Sequence, residues 1–142
     1  MIGAKNVKGG LVLVSLGLLA GLAMSLYAFE PIVRPPASFE HYDDLPRRLL
    51  RLAHIAAVAL PLMNVVLGGW IDRIALTRPG KTLASLLLLL GGALVPAALG
   101  LQAAWAPARS LHLAGPPVVA FCAGVVLVTV GALRTDFRET LS

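Results

Sequence analysis

Charge is what this chain has least of. Asp, Glu, Lys and Arg together make up 13% of its 142 residues, against about a quarter in a typical soluble domain. Hydrophobic residues make up 58%, and mean hydropathy is +0.84. A small soluble fold buries too little of its surface to hide that surplus. The shortage of charge excludes an ordinary soluble enzyme, and it excludes disorder as well. Cysteine is nearly missing too: Cys122 is single, so no intramolecular disulfide forms, and it reads as a small hydrophobe of the core.

Acid is missing where transport chemistry would need it. Glu30 and Asp72 lie at the ends of apolar stretches, and the other acids lie in loops or in the tail. A proton-coupled carrier usually needs an acid or an equivalent relay within the membrane. Catalytic signatures are also lacking: there is no G-x-S-x-G, no H-E-x-x-H and no phosphate-cradling glycine loop. The chain is therefore not expected to be an enzyme. The net charge of +5 comes from short segments flanking apolar ones, which argues against a nucleic-acid partner.

What is present is four stretches without formal charge, each of bilayer-spanning length: Leu11 to Phe29, Leu52 to Ile71, Thr82 to Ala108 and Leu111 to Leu133. About 20 helical residues cross roughly 30 Å of hydrocarbon. Backbone groups in lipid must be satisfied within the segment, so helices are expected rather than strands. The expected fold class is an all-α integral membrane protein, with four transmembrane helices in an up-down bundle. The helices should cover about 10–30, 46–72, 82–106 and 109–134, with an outer loop at 31–45 and no separate soluble domain. The first stretch follows Lys5 and Lys8 as a signal peptide would. Its apolar run is too long for that, and Ser25 to Glu30 offers no small-x-small cleavage site, so a retained helix is expected.

Local punctuation refines these bounds. Asp44 before Leu45-Pro46 reads as an N-cap with proline in the first turn. Arg78-Pro79-Gly80-Lys81 reads as a turn. Orientation follows from basic residues near the helix ends. With the N-terminus inside, Lys5, Lys8, Arg73, Arg78, Lys81, Arg134 and Arg138 are cytoplasmic, seven in all. Arg34, Arg47, Arg48, Arg51 and Arg109 are then outside, five in all. Both termini are expected in the cytoplasm, in a bacterial inner membrane.

Packing between such helices depends on small residues and polar contacts. Helix one offers Gly17-x-x-x-Gly21-x-x-x-Ser25. Helix three offers Ala93-x-x-x-Ala97 and Gly100-x-x-x-Ala104, and helix four Ala120-x-x-x-Gly124. Helix two carries His54, Ala57, Pro61, Asn64 and Gly68 at spacings of 3, 4, 3 and 4, on one stripe that should face the bundle. Pro61 frees the carbonyl of Ala57, which Asn64 or a neighbouring helix would satisfy.

The candidate site gathers at the outer end, where all three histidines are expected, with Tyr27, Gln102 and Trp105 nearby. Arg51 precedes His54 by three residues, Arg109 precedes His112 by three, and Arg47 lies four before Arg51. That pattern suits a haem b with His54 and His112 as axial ligands, and with Arg47, Arg51 and Arg109 on the propionates. A quinone or lipid headgroup fits the same place. The competing reading is structural: arginines snorkel to headgroups, and the histidines hydrogen-bond within the bundle. A zinc or copper set of His41, His54, His112 and Asp43 resembles no compact metal motif. The leading expectation is a small non-catalytic accessory subunit of a larger membrane complex, with electron transfer as a setting. Its expected partners are the lipid bilayer and other membrane subunits. A haem-b cytochrome subunit is the alternative, and a small transporter the third reading.

Overall fold

The computed structural model describes residues 1–28, 32, 34, 41, 43–105 and 112–139, the side chains of 27–28 and 136–139 apart. The described chain contains four helices: α1 (Gly3–Ala28), α2 (Leu45–Ile71), α3 (Arg78–Trp105) and α4 (Gly115–Glu139). All four are long and apolar enough to cross a membrane. No strand occurs among the described residues.

Four boundaries differ from the sequence expectation. Helix α1 begins at Gly3, so Lys5 and Lys8 lie within it. Its first turn is capped from a distance: both carboxylate oxygens of Asp72, just past α2, accept the backbone N–H groups of Ile2 and Gly3, at 3.0 and 3.1 Å. Helix α3 begins at Arg78, so the residues read as a turn form its first turn instead. Thr77 caps it, its Oγ1 accepting the Gly80 N–H at 3.3 Å. Proline is tolerated there because a first-turn N–H has no partner within the helix. Helix α4 begins only at Gly115, so Pro116 and Pro117 start the helix rather than bend it, and His112 precedes it. At the other end α4 runs on to Glu139, beyond the expected limit.

The α1–α2 seam explains why these residues pack. Gly3, Gly10, Gly17 and Gly21 of α1 lie against Gly68, Pro61, Ala57 and His54 of α2, in reverse chain order. A β-carbon on Gly3 or Gly21 would overlap the Gly68 carbonyl or the His54 ring. One on Gly17 would lie 2.5 Å from the Ala57 carbonyl oxygen. That oxygen is the acceptor released by Pro61, so the glycine lets the α1 backbone close over it. Asn64 does not serve it; the amide of Asn64 turns to α3 instead. The stripe expected on α2 thus faces the interior, and Pro61, Asn64 and Gly68 are buried. On α1 the expected row continues differently. Ser25 is exposed and bonds back to the Leu22 carbonyl, whereas Gly3, Asn6 and Gly10 extend the seam toward the N-terminus.

Helix α3 packs on α2 and touches α1, and α4 packs on α3. Gly91 sits against Phe121 and Gly124 against Leu88, in a cluster with Ile71, Ile74, Ala84 and Val128. The small pairs expected on α3 are not the ones used: Ala97 and Ala104 are exposed, and Gly91, Gly92, Ala84 and Ser85 are buried instead. Cys122 points outward rather than into the core. Leucine and valine cover the outside, including Leu18, Leu22, Val66, Leu94, Val119 and Val126. Water would penalise such a continuous apolar surface.

Candidate functional site

The most closely knit polar group lies in the interior. Asn6 and Asn64 are fully buried and Ser85 is 5% exposed. The Asn6 amide donates to the Asn64 side-chain carbonyl at 2.9 Å and to the Ser85 backbone carbonyl at 3.2 Å. The Ser85 hydroxyl donates to the Asn6 side-chain carbonyl. The Asn64 amide in turn donates to the Leu88 backbone carbonyl at 2.8 Å. Three helices are thereby tied at one point. Gly92 makes the arrangement feasible, because a β-carbon there would lie 2.5 Å from the Asn64 amide nitrogen. Both side-chain carbonyls and both amides have partners inside the protein, so the knot presents no free group to a substrate.

Asn6 was invisible as a site residue because the lysines at 5 and 8 drew the helix start past it. Its signal was a seven-residue glycine repeat at 3, 10 and 17, with Asn6 three residues beyond Gly3.

His54 occupies the far end of the same seam. Its imidazole lies on the α1 backbone at Gly21, the Cε1–Nε2 edge nearest. Its Nδ1 is buried without a hydrogen-bond partner. With the proton on Nε2 the orphan is a lone pair rather than an N–H, the less costly choice for a buried ring. His112 is exposed ahead of α4. The structure therefore directs His54 toward α1, and among the described residues no extended packed face joins α2 to α4. His54 thus faces the α1 backbone, and His112 stands exposed in the segment before α4. Arg109 lies outside the described residues.

Arg47 and Arg51 are half-buried on the first turns of α2, with Arg48 exposed between them. Asp44 holds the expected N-cap position, but its carboxylate makes no cap bond to α2. It turns back to accept the His41 N–H at 3.2 Å. Arg48 and Arg51 rim a groove of about 760 Å³, which continues over Leu52 and Ile55. Gln102 is buried within α3. Among the described residues no three His, Cys, Asp or Glu side chains cluster as metal ligands would.

The site thus separates into a satisfied polar knot toward one end and an arginine-rimmed groove and His54 toward the other. Comparison of the chain with family models, with curated proteins and with solved structures returns no match.

Proposed function

We propose that this protein is embedded in a membrane as an up-down four-helix bundle and serves as a small, non-catalytic accessory subunit of a larger membrane complex. In this reading it lies in a bacterial inner membrane with both termini in the cytoplasm. The observation that carries the reading is the use made of the interior polar groups. Asn6, Asn64 and Ser85 are spent on one another and on backbone carbonyls, binding helix to helix. The lateral surface is left apolar, as a protein that presents helices to lipid and to other subunits requires.

Two measurements test this. Alkaline carbonate should leave the protein in the membrane pellet, and release into the supernatant would refute embedding. Affinity purification in a mild detergent should then bring down partner subunits in fixed stoichiometry. A protein that purifies alone, stable and monodisperse, from membranes where it is expressed at its native level would refute the subunit role.

A further inference from the structure

We propose that His54 is an acid-sensitive latch on the α1–α2 seam: a proton added to its ring parts the far half of α1 from α2. The inference goes beyond the subunit role and stands without it. The imidazole lies directly on the α1 backbone at Gly21, where a β-carbon would overlap it. Its Nδ1 is buried and has no hydrogen-bond partner. His54 as a whole is half-buried and stands one turn past Arg51, so a proton reaches the ring from the start of α2. A neutral ring tolerates this place, because Nδ1 then carries a lone pair. A protonated ring carries N–H on both nitrogens, and the one at Nδ1 has nothing to donate to. Leaving a buried donor unmet is costly, and the remedy is for α1 to move off the ring. The seam is therefore closed with neutral His54 and opens as pH falls.

The surrounding groups do not offset this cost. On α1, residues 9–28 include no Asp, Glu, Lys, Arg or His; Tyr27 is the one titratable residue among them, and its side chain lies outside the described set. On α3, residues 82–105 carry no titratable side chain. The charged residues of α2 are Arg47, Arg48 and Arg51, which are donors only and repel an imidazolium. None of the three helices carries a carboxylate to meet the new N–H. Ahead of α2, Asp44 is turned to the His41 N–H, and Asp43 lines a groove with Arg48 and Ile55 that no α1 residue borders. The opposite end of the seam is held by other means. Asn6 bonds to Asn64 and Ser85, and Asp72 caps Ile2 and Gly3. Separation is thus confined to the part of α1 beyond Gly17.

The test is the distance between paired spin labels on the full-length protein with Cys122→Ser, measured at about pH 8 and about pH 5.5. These conditions bracket the ordinary histidine range and stay above that of carboxylates. One pair, Leu22→Cys with Ile55→Cys, spans the far half of the seam; the other, Lys5→Cys with Val66→Cys, spans the knotted half. All four positions are exposed. Across the far half, the population at longer distance should rise about tenfold on acidification. Across the knotted half it should not change. His54→Gln should abolish the rise, whereas His112→Gln should keep it. No rise with His54 in place overturns the latch without appeal to any histidine variant. An equal rise for both pairs overturns it as general loosening by acid. A rise that persists in His54→Gln places the proton elsewhere and overturns it too.

Discussion

At the scale of single residues, the interior is organised by what glycine leaves out. Gly21→Ala would drive a methyl group into the His54 ring, and Gly17→Ala would place one against a backbone carbonyl that cannot rotate away. Each substitution should destabilise the protein by about 1–3 kcal/mol in a micellar unfolding titration. Gly69→Ala and Gly100→Ala meet nothing within 4 Å, and should be neutral or slightly stabilising, given alanine's advantage of about 1 kcal/mol in a helix. The two clashes differ in their remedy. His54→Ala should restore Gly21→Ala but not Gly17→Ala, and rescue of both would show that the seam is looser than its contacts imply. In the polar knot, Asn6→Leu strands acceptors and donors on α2 and α3. It should cost about 1–2 kcal/mol. Adding Asn64→Leu should cost much less than the sum of the two single changes, because the partner is already lost. Strict additivity in that double-mutant cycle would contradict the hydrogen bonds described.

The α2 half of this seam was legible in the sequence, since a histidine, a proline, an asparagine and a glycine on one stripe cannot all face lipid at low cost. The α1 half was not. Its decisive residues lie beside lysines, and a span search discards charged flanks although lysine is a good helix former. Which small residues of α3 would be used was equally hidden. Alanine and glycine occur on every face of such a helix, and only the register against Asn64 and Phe121 selects Gly92 and Gly91.

At the scale of elements, the helix ends are held by unlike devices. Helix α1 receives its cap from Asp72, about seventy positions later in the chain, whereas Asp44, in the sequence position of a cap, bonds to His41 and leaves the α2 amides alone. Asp72→Ala should therefore cost about 1 kcal/mol, the usual worth of a capping group. It should also speed hydrogen exchange at the first amides of α1 with little change elsewhere. Asp44→Ala should cost α2 less than that. A reversed order would refute the capping assignment. Sequence rules for caps look one to three residues ahead, so a carboxylate donated by a different helix was beyond their reach. The Lys81 ammonium, which donates to the Asp72 backbone carbonyl at 2.7 Å, ties the start of α3 to the same corner.

At the scale of the whole molecule, the helices are not equivalent. Helices α1, α2 and α3 are tied together by the polar knot, and α4 is added on α3 and on the turn at residues 74–76. The Ala75 N–H bonds both the Gly131 carbonyl at 3.1 Å and the Thr135 hydroxyl at 2.8 Å. A bulky side chain at Gly124, as in Gly124→Leu, should push α4 off Leu88 while the other three helices keep their contacts. Hydrogen exchange should then rise along α4 alone, and a uniform rise across all four helices would show one cooperative unit instead. The number of apolar helices was plain from the segmentation into uncharged stretches, which composition imposes. The unequal attachment of α4 was not, because every span is nearly as apolar as the next and only contacts rank them.

The Asp72 cap has a consequence for biosynthesis. A ribosome delivers residues 2 and 3 long before it delivers residue 72, so α1 leaves the exit tunnel with its leading amides open. They close only once α2 and the turn that follows it have been made. Ser85 comes later still, and until it arrives Asn6 lacks two of its partners. Of the four helices, the earliest made is thus among the last to be secured. A nascent chain halted before residue 72 should be the form most readily taken by a quality-control protease.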